Sequence, residues 1–291
     1  MRSRVIQVNE KMFLIHESVI RRRISSSASL SQNEKPVETK EVEKSLRRFW
    51  KQRYPKRDSN TPYSRKPDNY TITLDKRPLK TPDGSLLVIP KNRRALAYLV
   101  AGEWESQNAL LKHHSLPLTS LVARATVVFE KDLDEKKNAV ERLLKYLDTD
   151  SICFRHSYPQ TLVDLQRQHW DPLINWIQSH YSVRINTTEG IFRQLHPSET
   201  RERLSNIVSK FDSLKLSAFE RTTMLSKSFI IGLGLVERRL SVEEAVQAAQ
   251  VEVNAQIMAW GEVEDAHDVD REDIRRQFGS VVVALINENT Q

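Results

Sequence analysis

The chain has 291 residues, enough for one large domain or two ordinary ones with a real core. Hydrophobic content of 39% and charged content of 29% describe a soluble globular protein, and no stretch approaches the roughly 18 uncharged apolar residues of a membrane span. The net charge of +7 points toward nucleic acid only until its distribution is read: residues 1–69 hold 17 Lys/Arg and 8 Asp/Glu, whereas residues 70–291 hold 28 and 30.

The basic character therefore belongs to the first segment. MRSRVIQVNEKMFLIHESVIRRRISSSASLSQ carries six basic and two acidic residues and a serine-rich end. Arg-rich, Ser-rich and acid-poor is the composition of a mitochondrial transit peptide, expected over residues 1–31. Val19, Ile20 and Ile24 beside three arginines suit an amphipathic helix drawn to an anionic membrane. Residues 32–68 are polar and rich in Pro and Lys, a linker with an ordered piece at 45–54 (SLRRFWKQRY).

A small β-rich N-terminal domain with a first helix is expected over 69–111. Tyr70–Asp75 (YTITLD) alternates as a strand does, and Asp83-Gly84 supplies a tight turn before the apolar run that Pro90 closes. Arg77-Pro78 and Thr81-Pro82 place this hairpin or meander at an edge or a bend. From Asn92, a plausible N-cap, the period changes to that of a helix: Ala95, Leu96, Leu99, Val100 and Trp104 share one face.

A larger, mostly α-helical C-terminal domain is expected over 112–291, giving an α+β fold class. Helices are predicted near 119–129 and 134–147. Leu162 to Ile177 keep a helical period through Pro172, which marks either a kink or a new start. Ser182–Thr188 reads as a short β segment. Four more helices follow, over 198–212, 214–238, 241–260 and 270–287. Ser241 with Glu244 has the form of a capping box, and Asp270 with Asp273 suits a cap on the last helix. Gly232 and Gly234 sit in an apolar helical run and suit close packing between helices.

Phosphate-cradling glycine loops, the G-x-S-x-G elbow and H-E-x-x-H are all absent, so no cofactor or nucleophilic chemistry is signalled. The lone Cys153 excludes an internal disulfide and reads as a small buried residue. The one chemically dense stretch is 259–273, AWGEVEDAHDVDRED, with seven acidic residues, one histidine and a Trp-Gly pair. It lacks the residue order of a calcium loop, so no metal is expected. Glu262 and Glu264 lie at i and i+2, which do not share a helix face, so an acid/base pair is disfavoured. The remaining readings are a solvated helix start or a surface for protein recognition, since an aromatic beside carboxylates is a common way to build one.

An ordered set of motifs adds to this. It comprises Arg48-Phe49-Trp50, YTITLDKRPLKTP (70–82), LLVIP, EWESQ (103–107), LPLTSLVARA (116–125), YLDTDSICFRH (146–156), LQRQHWDPLINW (165–176), TTEGI (187–191) and VEVNAQIMAWGEVEDAHDVD (251–270). In this order they resemble the mitochondrial F₁-ATPase assembly chaperones that bind the F₁ α subunit, the ATP synthase assembly factor 2 type. The family pattern departs mildly at Val251, where a bulkier apolar residue is usual, and residues 54–69 look like an insertion. The resemblance implies a two-domain α+β chaperone of the mitochondrial matrix that holds unassembled F₁ α subunit. It implies no catalysis, no nucleotide, no nucleic-acid partner and no membrane insertion. It also implies a sensitive acidic residue in the helix before the Trp-Gly turn, Glu252, with Gln256, Trp260, Glu262, Glu264, His267 and Asp268 completing the motif. The competing reading is a matrix enzyme that uses the Glu262–Asp273 carboxylates with His267. RNA binding through 44–66 is disfavoured because that segment is linker-like and the body is net negative.

Overall fold

Residues 53–57, 69–75, 77–81, 83–108, 110–190 and 195–287 are described in a computed structural model of the chain. The predicted leader, and with it Arg48-Phe49-Trp50, lies outside the described residues.

Four strands open the fold: β1 (Arg53–Arg57), β2 (Tyr70–Leu74), β3 (Arg77–Pro78) and β4 (Val88–Ile89). β2 is central. β1 pairs with it antiparallel along its whole length, while β3 and β4 pair with its two ends. The expected Asp83-Gly84 turn is present, with Gly84 at φ +83°, a conformation that only glycine adopts freely, and Lys80 bridging to Leu86 across it. Proline in β3 is tolerated because β3 lies at the sheet edge. The reading of 32–68 as linker does not anticipate β1, since RYPKR has no alternation and a single hydrophobic residue, Tyr54.

Eleven helices follow among the described residues. α1 spans Arg94–Glu105, and Asn92 does not cap it: its amide donates instead to Asn287 Oδ1 at 3.2 Å. α2 (Pro117–Ala123) starts with proline at its first position and continues as a π-helical turn over Arg124–Phe129. α3 (Leu133–Asp148) is capped by Asp132 and buries Ala139, Val140, Leu143, Leu144 and Leu147 at i, i+1, i+4, i+5 and i+8.

The helical period through Pro172 resolves as two helices, α4 (Gln160–His169) and α5 (Asp171–Tyr181), with Pro172 in the first turn of the second. Asp171 makes no cap bond there and pairs with Arg155 instead. No strand forms at 182–188. Ser182 is left-handed at φ +51°, the one β-bridge of the segment joins Thr188 to Phe154, and Ile185 N donates to Gln178 Oε1 at 3.1 Å.

α6 (Ser198–Ser209) precedes the most buried pair, α7 (Ser213–Ser226) and α8 (Phe229–Val236). One helix over 214–238 is not what forms. Lys227 adopts a left-handed conformation at φ +55°, and Ser228 caps the new helix by accepting from Ile231 N. The apolar run 229–236 hides this break because every residue of it is buried on all sides. Gly232 permits the close approach of α7 and α8: a Cβ there would collide with Thr223 and meet Phe219 Cε2 at 3.1 Å.

The predicted 241–260 helix likewise divides, at Gln250, into α9 (Val242–Ala249) and α10 (Val251–Trp260); the Ser241/Glu244 capping box forms as expected. α11 (His267–Ala284) begins three residues early, and neither Asp270 nor Asp273 caps it. Ile72, Leu87 and Ile89 of the sheet region belong to the same apolar cluster as Phe219, Phe229 and Phe278 of the helices. The fold is α+β, a small sheet followed by a helical body, as the sequence implies.

Candidate functional site

Three elements build the acidic motif: α10, the turn after it and the first turns of α11. α10 is anchored on one side only. Val251 and Ala255, one helical turn apart, are buried, and just before them Trp170 Nε1 donates to Ala248 O at 2.8 Å. At the same spacing on another face stand Glu252, Gln256 and Trp260, all exposed. The packing of α10 runs through Val251 and Ala255, so the exposed stripe carries little of the fold.

Gly261 ends α10 at φ +89°, its amide bonding Ile257 O at 2.8 Å. The chain then turns back through Glu262–Ala266 on two reciprocal bonds: Val263 N donates to His267 Nδ1, and His267 N donates to Val263 O, both at 3.1 Å. Glu262 closes the turn from outside by pairing with Arg271 at 3.0 Å.

The motif residues thus divide by role. Glu262 and His267 hold the turn. Asp268 has a buried Oδ1 with no described hydrogen-bond partner. Glu272 and Asp273 pair with Arg275 and Arg276, and Arg275 also takes Glu243 at 2.9 Å, holding the Glu243 carboxyl below its usual range. Among the described residues nothing pairs with the side chains of Glu252, Glu264, Asp265 or Asp270. Trp260 is 82% exposed and does not anchor α10 in the core.

Acid/base chemistry finds little footing here. The imidazole Nδ1 and the Glu262 carboxylate are both committed to the turn, and neither cavity described, of about 410 and 250 Å³, is lined by a motif residue. Among the described residues, no three His, Cys, Asp or Glu side chains are grouped to hold a metal ion.

Other motifs prove to be internal supports. Glu103 of EWESQ accepts from Leu118 N, Thr119 N and Thr119 Oγ1 at 2.7, 2.8 and 2.7 Å, satisfying the free amides that open α2; burial raises its pKa against these bonds. Trp104 Nε1 donates to the same Thr119 hydroxyl. Arg124 forks onto Glu220 with two 2.8 Å bonds. Asp148, Asp150 and Arg155 do not form one network: Asp148 pairs with Arg201, Asp150 caps, and Arg155 pairs with Asp171. Cys153 is buried, which pushes its thiol pKa far up and leaves it inert. Sequence reasoning missed the exposed Met258, Val263 and Val269 around the motif, whose only signal is that large apolar residues there follow no helical period.

Comparison with known proteins agrees with this architecture. The family model described as ATP12 chaperone protein matches residues 47–178. Protein atp12, mitochondrial, of Schizosaccharomyces pombe is 33% identical over 246 residues, covering 82% of each chain. Protein ATP12, mitochondrial, of Saccharomyces cerevisiae is 29% identical over 295 residues, covering 88% of this chain and 89% of the yeast protein. The crystal structure of Atp12 from Paracoccus denitrificans superposes with a TM-score of 0.69 at 25% identity, over 83% of this chain and 98% of that one. With a third of its residues shared along four-fifths of a relative, and the fold shared as well, the chain belongs to the ATP12 chaperone family.

Proposed function

We propose that the protein is an assembly chaperone for the F₁ sector of mitochondrial ATP synthase, working in the matrix and holding newly imported F₁ α subunit until it pairs with β. Membership of the ATP12 family supports the chaperone role, and the Arg- and Ser-rich first 31 residues support import. The observation that carries the reading is the stripe of Glu252, Gln256 and Trp260: exposed, without a described partner for the carboxylate, and off the buried Val251/Ala255 face of α10. An α subunit without its neighbours exposes surface that the ring would bury, and such surface aggregates. A chaperone that covers it with modest affinity is displaced once the larger native interface forms. Glu264 extends the same surface, while Glu262, His267 and Asp268 shape it.

The test is deletion of the protein from its own cells, followed by fractionation of mitochondria. F₁ α is expected in the insoluble fraction, with assembled F₁ depleted. Soluble α with F₁ at its normal level would overturn the reading.

A further inference from the structure

Arg93 stands at the junction of the sheet and α1, and it is buried, with 8% of its surface exposed. Its side chain caps nothing in its own helix. Nη1 donates to Ala284 O at 2.8 Å and to Ile286 O at 3.3 Å, and Nη2 lies 3.7 Å from Asp212 Oδ2. Those carbonyls close α11, and Asp212 caps α7, so one guanidinium reaches the ends of two helices of the body. Its neighbours act with it: Asn92 bonds Asn287, and Arg238 Nη2 donates to Leu285 O at 3.2 Å. The last carbonyls of a helix have no partner within it, and cations there also meet the negative end of its dipole.

The other end of α1 is fastened differently. Glu103 accepts the amides that open α2, Trp104 Nε1 donates to Thr119 Oγ1 at 3.0 Å, and the Gln107 side chain bonds Ser115 Oγ at 2.7 Å and Lys112 N at 3.0 Å. These partners lie no more than 16 residues away along the chain, so they travel with this end of α1. The α11 partners of Arg93 lie 191 and 193 residues away, and only the folded arrangement brings them there. A buried cation differs from an apolar contact as well. Separated from its acceptors it is stabilised by water and not by the interior, so its burial depends on the end of α11 being in place. Lys131 also meets Asp83 at 3.6 Å, but in water such a pair holds little.

We propose that the sheet and α1 form a flap, hinged at the Glu103–Thr119 end of α1 and latched by Arg93 onto the last carbonyls of α11. Closed, the flap buries Leu96, Ala97 and Val100 in the apolar cluster it shares with the helical body. Open, those residues meet water while α7 and α8 stay packed on each other. Native proteins open in contiguous units of this kind, each with its own free energy below that of global unfolding.

Hydrogen exchange on the full chain, read by mass spectrometry, tests the flap. In Arg93→Ala, the amides of β2 and α1 are expected to exchange together, at least about tenfold faster, with those of α7 and α8 unchanged. Glu103→Ala loosens the hinge and leaves the latch, so exchange is expected to rise in the first turn of α2 and to stay at the wild-type rate in β2. Should Arg93→Ala fail to fold, Asn92→Ala with Arg238→Ala leaves Arg93 in place and loosens the same end of α11. That pair is expected to give the Arg93→Ala pattern at about threefold or more. Unchanged exchange in β2 and α1 of the deciding variant overturns the latch. Acceleration that spreads equally to α7 and α8 overturns it too, because Arg93 would then support the whole fold with no separate unit opening. Acceleration of β2 by Glu103→Ala equal to that by Arg93→Ala would remove the distinction between hinge and latch, and the proposal with it.

Discussion

Asp150 Oδ2 accepts the backbone amide of Ile230 at 2.9 Å across 80 residues of sequence, while Oδ1 accepts Ile152 N at 3.1 Å. One buried carboxylate therefore caps both the turn that follows α3 and the start of α8, with Ser228 capping α8 from its other side. Burial pushes the Asp150 pKa up to about 6 despite these bonds.

That elevation has a direction in pH. The folded state holds the Asp150 proton more tightly than the unfolded chain does, so this group's contribution is fully present below about pH 4 and is lost as pH rises through about 6. His196 acts oppositely. Burial lowers its pKa, so its contribution is present above about pH 6.5 and lost as pH falls. Asp150→Asn removes the first of these and leaves the second. It also turns one acceptor into a donor facing a backbone amide, at a cost of about 1–3 kcal/mol. Urea denaturation from pH 4 to 7 is expected to show stability climbing more steeply with pH in the variant than in the wild type. Parallel curves would mean that Asp150 is ionised throughout.

Glu103 supports α2 with three accepted bonds, so Glu103→Ala is expected to cost about 2–3 kcal/mol. Glu103→Gln keeps one carbonyl oxygen and should cost less. Thermal melts of the two variants check the order; equal losses would place the damage in packing rather than in the amides of α2.

Gly232→Ala inserts a methyl group between α7 and α8 and is expected to destabilise by about 1–3 kcal/mol. The nearest obstacle is Thr223 Oγ1, a buried hydroxyl with no described hydrogen-bond partner. Thr223→Ala should therefore cost little alone and recover part of the loss when combined with Gly232→Ala. A strictly additive double variant would show that the two positions do not meet.

Adjacent residues of α10 should behave in opposite ways. Val251 is fully buried, and Val251→Ala is expected to cost about 1–3 kcal/mol of stability. Glu252 is exposed, and Glu252→Lys is expected to change stability by no more than about 0.5 kcal/mol while abolishing retention of F₁ α in a pull-down from matrix extract. Early melting of Glu252→Lys would identify that residue as part of the fold rather than of the contact.

Much of the fold is legible in the amino-acid order because it is decided locally. Ala139, Val140, Leu143, Leu144 and Leu147 announce α3 by spacing alone, Ser241 and Glu244 announce a helix start, and Asp83-Gly84 announces a turn. Each rests on interactions within a few residues. The break at Lys227–Ser228 is not announced, since the apolar run after it has no polar face to give a period. The bend at Gln250 and the absence of a strand at 182–188 are hidden for a related reason: side chains outside the local ladder, Gln178 for Ile185 and the distant Trp170 for Ala248 O, decide which backbone groups are satisfied.

The candidate site divides in the same way. Sequence alone determined that 259–273 is acidic, that it carries a Trp-Gly pair and that it lacks the residue order of a calcium loop. It could not distinguish one carboxylate from another. The tertiary structure decides that Arg271, Arg275 and Arg276 neutralise one set while Glu252, Glu264, Asp265 and Asp270 stay open, and that Trp260 faces water. The physical reason is that net charge is a property of composition, whereas pairing and burial depend on which helix faces the packing of α10 and α11 turns outward.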